Sequence, residues 1–104
     1  MMDLTKDTFK EYITESGLVL VDFYAKWCPP CQRFMQILPR LEEAIKDICV
    51  IGKVETDTEE QLAELYEIQY IPTFIVFKNG QEVTRWDGIK TIAEIENILR
   101  GYHG

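Results

Sequence analysis

Cys28-Pro29-Pro30-Cys31 is the segment of this 104-residue chain whose residue types and spacing most directly imply chemistry. Two thiols three positions apart share one face where a helix begins, about 5 to 6 Å apart at Cβ, a separation compatible with a disulfide. The unpaired N–H groups and the positive dipole end of a helix N-terminus favour a thiolate, the reactive form in thiol–disulfide exchange. Cys28, at the outer and more exposed end of the pair, is the expected nucleophile. Zinc is the rival reading of any such pair, but a closed zinc site takes about four ligands. Only Cys49 and His103 remain, widely spaced, so neither a metal nor a bound cofactor is expected.

The elements around the pair are those that would hold it at a strand-to-helix junction. Leu18 to Ala25 is a near-continuous apolar run interrupted by Asp22, the pattern of a strand buried on both faces. Phe34, Met35, Ile37, Leu38, Leu41 and Ile45 then recur at helical spacing after the cysteines. Ile48 to Val54 reads as a second buried strand, and Asp57 to Glu60 ahead of Leu62, Leu65 and Tyr66 announces another helix. Phe74 to Phe77 and Glu82 to Trp86 flank Asn79-Gly80, a strong hairpin signal. Thr91 and Glu94 form a capping box for a last helix ending at Gly101. Leu4, Phe9, Tyr12 and Ile13 predict a first helix, with Thr5 as N-cap and Gly17 beyond its end. The expected order is α, β, α, β, α, β, β, α, an α/β chain with one domain over residues 1–104.

Within this frame several side chains have two readings. Asp22 is either a buried carboxyl whose pKa desolvation raises toward that of a useful base, or a strand-end carboxylate facing water. Lys53 reads locally as an ordinary strand-edge lysine. Trp27 is either core or an aromatic shaping a surface beside the thiols. Pro72 reads locally as a strand breaker, and nothing in its neighbours would call for a cis bond. Cys49 reads as a small buried apolar residue, and His103 as terminal surface. Pro29 and Pro30 each fix φ, and Pro30 biases Pro29 away from helical geometry.

Composition narrows the function. Apolar residues make up 46% and aromatics 12% of the chain, enough to bury a core without disulfide staples. The net charge of −7, with scattered basic residues, disfavours a nucleic-acid partner. No apolar run approaches the ~20 residues that span a bilayer, and Met1 to Asp7 lacks the basic and apolar regions of an export leader. A cytoplasmic, monomeric chain with no membrane partner is expected, and there a purely structural disulfide is disfavoured.

Val21-Asp22-Phe23-Tyr24-Ala25-Lys26-Trp27-Cys28-Pro29-Pro30-Cys31, together with Ile71-Pro72-Thr73, Phe77-Lys78-Asn79-Gly80 and Gly88, resembles the thioredoxin family over nearly the whole length. The resemblance implies a thioredoxin fold, a central mixed β-sheet flanked by helices on both faces. It further implies protein-disulfide reduction, with Cys28 as attacking thiol, Cys31 as resolving thiol, Asp22 as buried base and Lys53 close to it. Trp27, Pro29, Pro30, Ile71, a cis Pro72, Thr73 and Gly88 would form the client-binding surface. Disulfide-containing proteins are the implied clients, and a thioredoxin reductase the implied electron donor. The chain departs from the commonest pattern at Pro29, where glycine is usual, at Tyr24, where tryptophan is frequent, and at Tyr70, where a small residue often stands. The alternatives are a disulfide oxidase or isomerase, which usually carries a histidine between the cysteines, and a non-catalytic docking module, against which Asp22, Cys28, Cys31 and Pro72 together argue.

Overall fold

The apolar run that begins at Leu18 becomes the middle strand of a five-stranded sheet, and the helices stack on both of its faces. The computed structural model describes residues 1–104. In chain order the elements are β1 (Met2–Asp3), α1 (Phe9–Glu15), β2 (Leu18–Tyr24), α2 (Pro29–Ile45), β3 (Val50–Glu55), α3 (Glu60–Leu65), β4 (Thr73–Lys78), β5 (Gln81–Asp87) and α4 (Ile92–Tyr102). The strands lie in the order β1-β3-β2-β4-β5. β1 and β2 run parallel to β3, whereas β4 is antiparallel to both β2 and β5.

Alternation along the strands divides the core in two. Leu18, Leu20, Ile51, Phe74 and Val76 meet Phe34, Leu38, Leu41 and Ile45 of α2 and Ile95 and Leu99 of α4. On the other face Val19, Val21, Phe23, Val54, Ile75 and Phe77 meet Phe9 and Ile13 of α1 and Leu62 of α3. Burying a side chain of this kind contributes roughly 1.5 to 3 kcal/mol, so both faces of β2 anchor the strand that carries Asp22. Cys49 is buried in the first of these clusters, as an apolar residue would be.

Local signals at the turns hold. Asn79 and Gly80 both take positive φ, 52° and 86°, as a two-residue hairpin turn of the favoured twist requires. Thr91 Oγ1 accepts the Glu94 N–H at 3.1 Å while the Glu94 carboxylate accepts the Thr91 N–H at 2.9 Å, closing the capping box. Gly17 follows the C-cap Ser16 with φ of 76°, the left-handed position that ends helices.

Four expectations are corrected. The chain opens with a short strand absent from the expected order: Asp3 pairs with Lys53 of β3 and Leu4 donates its N–H to the Lys53 carbonyl, so Leu4 is a strand-end residue. Thr8, not Thr5, is the N-cap of α1, and the Thr5 carbonyl instead receives the N–H groups of Thr8 and Phe9. Gly101 lies inside α4, which continues to Tyr102. Pro29 is helical despite Pro30 after it, because both occupy the first turn of α2, where a missing N–H costs no intrahelical bond. Pro39 lies within the same helix, where the Met35 carbonyl loses its usual donor.

Candidate functional site

The cysteine pair sits where β2 hands the chain to α2. Cys28 is the N-cap, extended at φ −85° and ψ 115°, and its Sγ accepts the Cys31 N–H at 3.4 Å. An N-cap acceptor normally takes an N–H from the second or third helical residue. Here a sulfur fills that role, so a thiolate at Cys28 would be held by a main-chain donor and by the helix dipole together. The donor belongs to Cys31, and the prolines between the cysteines do not remove it. The two sulfurs lie 2.7 Å apart in the dithiol, with the Cys31 thiol donating to Cys28 Sγ, and Cys28 Sγ faces the Ile71 carbonyl at 3.8 Å.

Exposure separates the two cysteines less than expected: Cys28 is 4% exposed and Cys31 1%. Ala25, Tyr24 and Ile71 pack around the pair and cover both thiols. What does separate them is hydrogen bonding: Cys31 donates both its N–H and its thiol to Cys28 Sγ. Burial above all, then the hydrogen bond to Cys28 and the charges of Cys28 and Asp22, push the Cys31 thiol up to about 12. Cys49, far along the chain, is likewise pushed up to about 12 by burial, which keeps it an inert thiol.

Asp22 is fully buried, and neither of its carboxylate oxygens has a hydrogen-bond partner. Desolvation raises its pKa to about 7, with the Lys53 charge acting in the opposite direction. Lys53 is the register partner of Asp22 across the parallel β2–β3 pair, so the two expected neighbours do come together. A carboxyl that changes charge near neutrality, and whose charge is felt at the Cys31 thiol, is able to exchange a proton near neutral pH.

Of the remaining expected residues, Ile71 packs against the cysteine pair. Ile71-Pro72 is a cis peptide bond, and the Pro72 carbonyl accepts the Gly88 N–H at 2.8 Å, which ties the start of β4 to the end of β5. Gly88 holds φ of 80° with open space where a Cβ would stand. Thr73 is buried and its hydroxyl donates to the Tyr70 carbonyl. Trp27 is 66% exposed, so it is surface and not core, and its Nε1–H donates to Asp57 at 2.8 Å. Tyr70 is exposed as well. Asp57 was not among the expected site residues. It lies 30 positions from Trp27, and no local pattern links the two.

No group of three or more His, Cys, Asp or Glu side chains is placed to hold a metal ion. No helix is long and apolar enough to cross a membrane.

Comparison with known proteins agrees with this geometry. The family model for Thioredoxin matches residues 1–101. The chain is 41% identical over 96 residues to a thioredoxin of Chlamydia pneumoniae, covering 92% of each. It is 43% identical over 101 residues to the chloroplastic thioredoxin Y2 of Arabidopsis thaliana, of which it spans 60% while 92% of this chain is matched. Among solved structures, the oxidised thioredoxin of Plasmodium falciparum superposes with a TM-score of 0.84 at 28% identity, covering 100% of this chain and 99% of the other. Mitochondrial thioredoxin 3 of Saccharomyces cerevisiae, also oxidised, gives 0.86 at 27% identity over 97% and 94%. Fold, cysteine pair and sequence identity thus converge: the chain belongs to the thioredoxin family of thiol–disulfide oxidoreductases.

Proposed function

We propose that this oxidoreductase reduces disulfides in client proteins, with Cys28 attacking, Cys31 resolving and Asp22 exchanging the proton. The observation that carries the assignment of roles is the Cys28 sulfur at the N-cap of α2, accepting the Cys31 N–H, while Cys31 lies behind it with a thiol held protonated. Cys28 thiolate forms a bond to one client sulfur as the client S–S bond breaks, and the departing client thiolate takes a proton. In the mixed disulfide Cys28 no longer bears charge, so two of the causes that hold Cys31 protonated disappear. Cys31 then loses its proton toward Asp22 and attacks Cys28 Sγ, releasing the second client thiol and leaving Cys28–Cys31 oxidised.

Trp27, Pro29, Pro30, Ile71, Pro72, Thr73 and Gly88 form the proposed client surface. Ile71 lies outside every strand and its main-chain groups make no backbone hydrogen bond, so an extended client segment can pair with it beside the thiols. Lys53 tunes the Asp22 carboxyl by its charge. Members of the family are reduced by thioredoxin reductase, and we assign such an enzyme as the two-electron donor here. No bound cofactor takes part in this scheme, and the protein acts as a cytoplasmic monomer.

Reduction of insulin disulfides, with dithiothreitol as donor, tests the activity, and pull-down of client adducts tests the roles. Cys31→Ser accumulates mixed disulfides with clients and Cys28→Ser does not. Equal trapping by both variants would reverse or erase the assignment.

A further inference from the structure

Lys53 stands in the middle of a row of three charged residues that crosses three strands. The registers Asp3↔Lys53 between β1 and β3 and Asp22↔Lys53 between β2 and β3 place all three side chains on one face of a parallel ladder. The two carboxylates compete for one ammonium, and their surroundings differ sharply. Lys53 Nζ lies 3.3 Å from Asp3 Oδ1, while both oxygens of Asp22 are left without a partner. Asp3 is mostly exposed, and an open cleft of about 450 Å³, lined by Asp3, Tyr24, Met35, Lys53 and Glu55 among others, brings solvent to the ammonium.

We propose that Asp3 is a positioning residue for the proton-transfer step: its carboxylate holds the Lys53 ammonium toward β1 and so leaves the Asp22 carboxyl without an ion pair. The proposal rests on the reading of Asp22 as the base. An ammonium seated on Asp22 would hold it ionised and lower its affinity for the Cys31 proton, since an opposite charge at hydrogen-bonding distance favours the charged form of a carboxyl. Hydration favours the observed arrangement, because the Asp3 carboxylate keeps most of its solvent at the cleft whereas both members of a pair at Asp22 would be buried. The other titratable groups facing Asp22 are Tyr24 on β2 and Cys31 on α2; β4 contributes only Phe74 at this register. Of the other anions lining the cleft, Glu55 lies 3.8 Å from Lys26 and Glu59 accepts the Lys6 N–H at 2.9 Å, so Asp3 is the sole carboxylate paired with Lys53.

The test is a ¹³C NMR titration of the Asp22 carboxyl in the reduced full-length protein, which needs no client and no turnover. In Asp3→Asn the ammonium is released toward Asp22, and the titration midpoint falls by about 1 pH unit. Asp3→Glu, which keeps the charge, stays near the parent. Loss of the Asp3 charge acting directly through space would also lower the midpoint, so both measurements are repeated in a Lys53→Met background. There Asp3→Asn has no effect if the influence passes through Lys53. Coincident midpoints for parent and Asp3→Asn, or an equal shift in the Lys53→Met background, overturn the proposal. If Asp22 is not the base, the titration still reads the Asp3–Lys53 coupling, and only the pH profile of mixed-disulfide resolution fails to follow it.

Discussion

Replacing Asp22 with asparagine should stabilise the protein while slowing its chemistry, and the gain should depend on pH in a defined direction. Unfolded, an aspartate ionises near 3.9; in the folded chain, burial raises that value to about 7. A group with a raised folded value contributes stability that is fully present below the unfolded value and lost as pH rises through the folded one. Each unit of separation is worth about 1.36 kcal/mol, so at pH 7 ionisation demand at Asp22 costs about 4 kcal/mol relative to pH below 4. Asparagine removes that cost but leaves an amide where no partner is available, a penalty of about 1 to 3 kcal/mol. The expected net is a gain of roughly 1 to 3 kcal/mol at pH 7 to 8, vanishing or reversing near pH 4. Urea unfolding of the reduced parent and Asp22→Asn proteins at pH 4, 6 and 8 measures it, alongside single-turnover resolution of a mixed disulfide. A stability difference that stays constant from pH 4 to 8 would refute the reasoning, because a purely steric or packing effect has no such dependence.

Other outcomes follow from the same geometry. Pro29→Gly gives the open dithiol form more conformational freedom in the first turn of α2, so the couple becomes less reducing by roughly 10 to 30 mV; equilibration in a thiol buffer series reads it, and a more reducing glycine variant contradicts it. Thr91→Ala opens the capping box of α4 and lowers unfolding stability by about 1 kcal/mol, with insulin reduction unchanged. The trapping contrast between Cys31→Ser and Cys28→Ser, and the Asp3→Asn titration, complete the set.

The amino-acid sequence by itself determined the elements whose signals are local. β2, α2, the hairpin at Asn79-Gly80 and the capping box at Thr91 each follow from periodicity, turn chemistry or side-chain-to-backbone bonding within a few residues, and so did the placing of the cysteine pair at a strand-to-helix junction. A buried Asp22 was legible because a charge inside an apolar run is costly enough to demand a reason. What the tertiary structure decided is everything that depends on distant chain segments. β1 has two exposed residues, too few for a period, and exists only because Met2 and Asp3 find the edge of β3. Cys28 lost its expected exposure because Ile71, 43 positions away, packs over it. The Trp27–Asp57 bond, the cis bond at Pro72 and the two missing partners of Asp22 are of the same kind. The ion pair that draws Lys53 to Asp3 joins residues 50 positions apart in number but adjacent across a ladder. Charge, burial and proton affinity at this site are properties of that ladder, since the energy of a charge depends on what surrounds it in space and not on its neighbours in sequence.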